Sequence, residues 1–190
     1  MNQRILFLLA FFLNAIIASA QSTNYHPVNT DSTKLKKIHT IGIVKPDVYK
    51  DIPATKMMII NALKDKLSPG YNCIVINDDS IRNAIITKDL NFLNNFLNEN
   101  EGIDAFILSK HSFVPVSYEN SNKDTFESQI ELLLYDTNGY QITRSFKNSV
   151  NNLRLFNTHN GMKILERTTK AGATPILEKL NVLNGITPSY

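Results

Sequence analysis

Residues 126–145, FESQIELLLYDTNGYQITRS, constrain the fold more than any other stretch of this 190-residue chain. Strand geometry sends successive side chains to opposite faces, so Ile130, Leu132 and Leu134 form a wholly apolar face, with Glu131, Leu133 and Tyr135 behind them. That pattern predicts a central strand, covered on both faces or on one face and part of the second. Asp136-Thr137-Asn138-Gly139 follows as a turn: Asn-Gly supplies the positive φ angles of a tight hairpin, and the Asp136 side chain accepts from nearby N–H groups. The return strand is expected to carry Tyr140, Ile142 and Phe146 on one side, with Gln141, Thr143 and Lys147 on the other. An apolar strand of this kind aggregates if uncovered, so the final helix is expected to shield one face and a neighbouring strand to pair with its edge.

The first twenty residues read as an export signal rather than as fold. Arg4 precedes an apolar run from Ile5 to Ile17, and Ala18-Ser19-Ala20 has the small-x-small form of a signal-peptidase site, so cleavage is expected before Gln21. The run is interrupted at Asn14 and falls short of the roughly 20 residues a bilayer span needs, so no transmembrane segment is expected in the mature chain. The single cysteine, Cys73, is far from this run, which does not support a lipid-anchored lipoprotein. Residues 21–37 are polar and read as a linker, 38–183 as a single α/β domain, and 184–190 as a tail.

Without the signal, 19 basic residues stand against 17 acidic ones, a balance that gives no argument for nucleic acid. Cys73, inside YNCIVIN, is expected to act as a small buried apolar residue.

Along the chain, HTIGIV is a first strand, with Gly42 allowing a neighbour close and Pro46 ending it. Pro53 opens a helix whose stripe is Met57, Ile60, Leu63 and Leu67, widened by Met58, Ile59 and Ala62. Ser68-Pro69-Gly70 stops it, and Cys73–Ile76 forms a second strand. Asp79 or Ser80 is expected to cap a short helix bearing Ile81, Ala84 and Ile85, and Thr87 or Asp89 a second bearing Leu90, Leu93, Phe96 and Leu97. Ala105–Val116 is a strand that begins buried and ends solvated at Ser109, Lys110 and His111, with Pro115 marking an edge or an exit. From about Asn160 to Leu183, Gly172 and Pro175 predict a kink or two helices. The fold class is α/β: a mixed sheet of about four to five strands with helices packed on it and one β-hairpin at about 126–146.

No phosphate-binding loop, zinc-binding helix motif or nucleophile elbow occurs. The four histidines are dispersed, and no metal or cofactor is expected. These features favour binding or structural work over catalysis. Open α/β sheets place ligands at the carboxyl ends of their strands, which makes Asp47, Asp78 and Asp79 the candidates for any catalytic or small-ligand site. Ser112, Phe113 and Pro115 are the candidates for an edge that accepts another strand.

The runs IGIVKPD, CIVIND and IELLLYDTNGYQI, in this order and with the helices between and after them, resemble the small α/β domain of the curli secretion lipoprotein family and of the N-terminal domain of the TolB translocation protein. The resemblance spans about residues 38–183. It implies an exported protein, periplasmic or peripheral to the outer membrane, that works in assembly or secretion by contacting other envelope proteins or itself. The chain departs from that group in having no lipid-attachment cysteine, no long pore-lining insertion and no following propeller. The alternative is an exported hydrolase or ligand-binding protein using the three aspartates.

Overall fold

The computed structural model describes residues 37–116, 125–152 and 158–186. The expected signal segment, nearly all of the linker, the 117–124 loop and residues 187–190 of the tail lie outside the described residues, as do the side chains of Phe113 and Pro115.

The chain runs β1 (Thr40–Val44), β2 (Asp47–Val48), a 3-10 turn (Tyr49–Asp51), α1 (Pro53–Leu67), β3 (Asn72–Ile76), α2 (Asp79–Thr87), α3 (Leu90–Glu99), β4 (Ala105–Val116), β5 (Thr125–Asp136), β6 (Gln141–Asn152) and α4 (Thr158–Leu183). One mixed sheet has the order β3-β1-β4-β5-β6, with β2 paired to β4. β1 runs parallel to β3 and β4, whereas β4, β5 and β6 form an antiparallel meander. This is the expected mixed sheet with helices, enlarged by β2, where two residues beyond Pro46 pair with Lys110 and His111.

Alternation along the strands divides the core in two. On one face Ile41, Ile43, Ile107, Ile130, Leu132 and Leu134 pack with Ile59 and Leu63 of α1 and Ile176 and Leu180 of α4. On the other, Phe106, Leu108, Val44 and Ile76 pack with Ile81 and Ile85 of α2 and Leu93 of α3. Gly42 is where the second face closes up: a Cβ there would stand 2.5 Å from Ile76 Cδ1 and 3.1 Å from Phe106 Cδ1. Cys73 is half-buried against the first cluster, and burial pushes its thiol pKa up.

β5 has the expected facing: Ile130, Leu132 and Leu134 are fully buried, β4 and β6 pair with its two edges, and α4 packs on the apolar side. The turn differs in detail. Gly139 alone takes a positive φ, 74°, after a turn closed by its N–H donating to Asp136 O at 3.2 Å. The Asp136 carboxylate accepts from the N–H groups of Asn138 and Tyr140 at 2.9 and 2.8 Å, as expected of it.

The return strand departs from simple alternation. Leu134 pairs with Thr143 but Tyr135 with Gln141, so Ile142 is an extra residue in β6. Ile142 is buried, while Phe146 falls opposite Glu131 on the other face and is 48% exposed. The bulge thus separates two residues that a regular strand would have placed together.

Helical stripes shift for related reasons. Buried positions in α1 follow Thr55, Ile59, Leu63 and Leu67, and Met57 is 58% exposed, because several apolar residues near the helix start allow more than one phase. Leu90 is likewise exposed at the start of α3, leaving Leu93 as its buried anchor. α4 continues through Pro175 as one helix rather than breaking. Tertiary burial of Ala173, Ile176 and Leu180 outweighs the local penalty, and Gly172 lets the helix approach β5, where a Cβ would meet Leu132 and Ile130 at 3.4 and 3.5 Å.

The end of α4 is fastened to the entry of β1. Asn184 Oδ1 accepts from Ile38 N–H at 2.9 Å and Asn184 Nδ2 donates to Ile38 O at 2.6 Å, so the carboxamide imitates a paired peptide. Asp104 Oδ2 accepts from the N–H groups of His39 and Thr40. Replacing Asn184 by Asp sets a carboxylate against the Ile38 carbonyl and is expected to cost about 1–3 kcal/mol in denaturant unfolding.

Candidate functional site

Parallel strands β1, β3 and β4 end beside one another, and the chain places Lys45, Asp47, Asp78, Asp79 and Arg82 around those ends. Asp78 caps α2, its carboxylate accepting from Ser80 N–H at 2.8 Å; the cap lies one residue before the expected pair because Asp78 keeps extended backbone angles and Asp79 is already the first helical residue. Asp89 caps α3 in the same way, accepting from Phe92 N–H at 3.1 Å. Asp79 forms an ion pair with Lys45 Nζ at 2.7 Å, which raises the lysine pKa. Asp47 is exposed on β2, directly opposite Lys110 of β4.

Arg82 is the residue that sequence reasoning did not single out. One helical turn after Asp79, its Nη2 donates to Lys45 O at 2.7 Å and to Ser109 O at 3.2 Å, tying the β1–β2 connection to β4. Burial pulls the guanidinium pKa down, and Asp47 and Asp79 oppose that shift. The spacing of Asp79 and Arg82, which sets both on one side of α2, was the available signal. The three aspartates therefore carry three separate contacts: a helix cap, an ion pair and a position across from Lys110. Among the described residues no group of three His, Cys, Asp or Glu side chains is placed to hold a metal ion.

Between α2 and α3 lies an open groove of about 330 Å³, lined by Asp79, Ser80, Asn83, Ala84, Thr87, Asp89 and Phe92. Its wall is carboxylate, amide and hydroxyl with one aromatic ring, and His111 is on the opposite face of the sheet.

The middle of β4 corrects the expectation of a solvated end. Lys110 is exposed, but Ser109 and His111 are 1% and 2% exposed, because they alternate onto the face that α4 covers. His111 Nε2 and Ser128 Oγ are 2.9 Å apart. Burial lowers the His111 pKa from 6.5 to about 4, so the ring is neutral at pH 7. The unfolded chain then binds more protons than the folded one between those values, and this histidine favours unfolding as pH falls from about 6.5 towards 4. The loss approaches about 3 kcal/mol at the acid end. Urea titrations at pH 7, 5.5 and 4.5 are expected to show that slope in the native chain and a flatter one in His111→Gln.

The other face of β4, β5 and β6 extends beyond α2 and α3. One cross-strand row reads Asp47, Lys110, Glu131 and Phe146, alternating in charge before ending in the exposed ring. Arg144 Nε reaches Glu131 Oε1 at 2.6 Å. Further along, Glu127 accepts from Gln129 and Asn148 side chains at 3.0 and 3.2 Å, and Ser112 Oγ stands 3.5 Å from Gln129 Oε1. Ser112, Phe113 and Pro115 all pair with β5, opposite Gln129, Ser128 and Phe126. On their other side, β1 and β2 pair with β4 only as far as His111 among the described residues.

The fold defined here is a small α/β domain, with a polar antiparallel platform on one side and a charged cluster at the ends of its parallel strands. No family model matches the chain, and no curated protein matches it. Solved structures do. It is similar to a PelC dodecamer from Paraburkholderia phytofirmans, at 11% identity over 77% of this chain and 89% of that one, with a TM-score of 0.44. Hypothetical protein CT253 from Chlamydia trachomatis aligns at 5% identity over 76% and 99% of the two chains, TM-score 0.49. Lipoprotein GNA1162 from Neisseria meningitidis aligns at 15% identity over 74% and 99%, TM-score 0.47. Likeness at this level is one of arrangement and carries no argument about activity. Among the described residues, no helix is long and apolar enough to cross a membrane.

Proposed function

We propose that this chain is a non-enzymatic exported protein of the cell envelope that works by binding other envelope proteins or by associating with itself. The observation that carries the reading is the part of the β4–β6 face that no described helix covers, on which the bulge at Ile142 turns Phe146 outward beside the Arg144–Glu131 pair. Aromatic and arginine side chains are the residues that anchor protein interfaces, and a rim of hydrogen-bonded polar groups is their usual surround. The expected export signal in residues 1–20 supports a periplasmic location or one peripheral to the outer membrane. The finer reading, a scaffold related to the curli secretion lipoprotein family and the TolB N-terminal domain, rests on IGIVKPD, CIVIND and IELLLYDTNGYQI.

Gentle extraction from the native envelope, followed by crosslinking from a photoreactive residue at position 146, is expected to capture a protein partner. A chain recovered alone, with no crosslinked product at any extraction strength, contradicts the proposal.

A further inference from the structure

We infer that the outer edge of β6 pairs with β6 of a second copy, antiparallel across a twofold axis at Phe146. This inference rests on the contact-based function proposed above and names the partner as the chain itself. β6 ends the sheet, and no described strand lies beyond it. It is twelve residues long, against five for β3 at the opposite edge, and so offers the longer row of backbone groups for pairing.

The side chains select the register. A twofold axis normal to the sheet keeps each face on its own side, so paired residues must come from the same face. Centring the axis on Phe146 brings the two rings together, sets Arg144 opposite Asn148 of the second copy, and sets Ser145 opposite its Lys147. Moving the axis to Lys147 would place the two lysines against each other. The Phe146 register therefore avoids like charges in direct opposition, joins two rings that are each 48% exposed in the single chain, and stays close to the centre of the strand.

The mature-length chain is tested by sedimentation across a concentration series, with Asn148 changed in both senses. Asn148→Glu puts a carboxylate opposite Arg144 of the partner twice per interface and is expected to tighten the dimer about tenfold, with Asn148→Arg loosening it by a similar factor. Within one chain the effects run the other way, since position 148 adjoins Glu127. A purely local influence would thus favour the arginine variant. In a Cys73→Ser background, Phe146→Cys is expected to form a disulfide-linked dimer, whereas Arg144→Cys alone is not. Monomers at every concentration together with absent crosslinking at 146 overturn the inference. If such a monomer still captures a different envelope protein, only this inference fails; if it captures nothing, the proposed function fails as well.

Discussion

Leu132→Ala is expected to lower the unfolding free energy by about 4 kcal/mol, one of the largest losses available to a single truncation in this chain. Leu132 sits on the central strand of the meander, fully buried, between Ser109 of β4 and Ser145 of β6. Above it Gly172 carries no side chain that could move into the space, so the cavity stays open. A fall of about 10 °C or more in the thermal midpoint is the corresponding readout. Leu133→Ala, one residue along on the partly covered face, is expected to cost about 1 kcal/mol. Equal losses for the two would mean that the strand faces are wrongly assigned.

Gly139→Ala is the second large effect, expected at about 2–4 kcal/mol. Two costs add at this position. A φ of 74° is strained for any residue with a Cβ, and that Cβ would stand 2.9 Å from the backbone oxygen of Ile85, which cannot rotate away. Both the hairpin tip and the end of α2 must shift. Asn138→Ala, at an exposed position whose φ is not positive, is expected to change the midpoint little, so urea unfolding of the pair separates turn geometry from composition.

Much of the sheet was legible because its signals are local. Alternation through Ile130–Tyr135, the Asp136 turn and the carboxylates before α2 and α3 each act within a few residues. The Asp78 cap shows the precision of such signals: the helix was clear and its first residue was off by one. Other features depend on partners distant in sequence. Ser109 and His111 look like a wet strand end until the elements packed on the Ile107 face bury them, and nothing near them in the chain announces that cover. The bulge at Ile142 is a matter of register between two strands, so the exposure of Phe146 could not be read from β6 alone.

The charged end of the parallel strands was located correctly but described incompletely. Asp47, Asp78 and Asp79 are distinctive in sequence because three aspartates follow two strand ends. Arg82 and Lys45, which organise that end, acquire meaning only once Ser109 O and Asp79 are brought beside them. Arg82 Nη2, donating to Lys45 O and Ser109 O, fastens the β1–β2 connection to β4 at that end.

The central claim is that contacts made by the β4–β6 side carry the function, rather than the acidic strand ends. It is tested most directly by measuring partner retention from native envelope for two variants, Phe146→Ala with Arg144→Glu, and Asp47→Asn with Asp79→Asn, after both show near-native circular dichroism. Loss of the retained partner, whether another protein or a second copy, in the first variant and its persistence in the second is the expected result. Retention by the first and loss by the second would contradict the account and return the function to the aspartates.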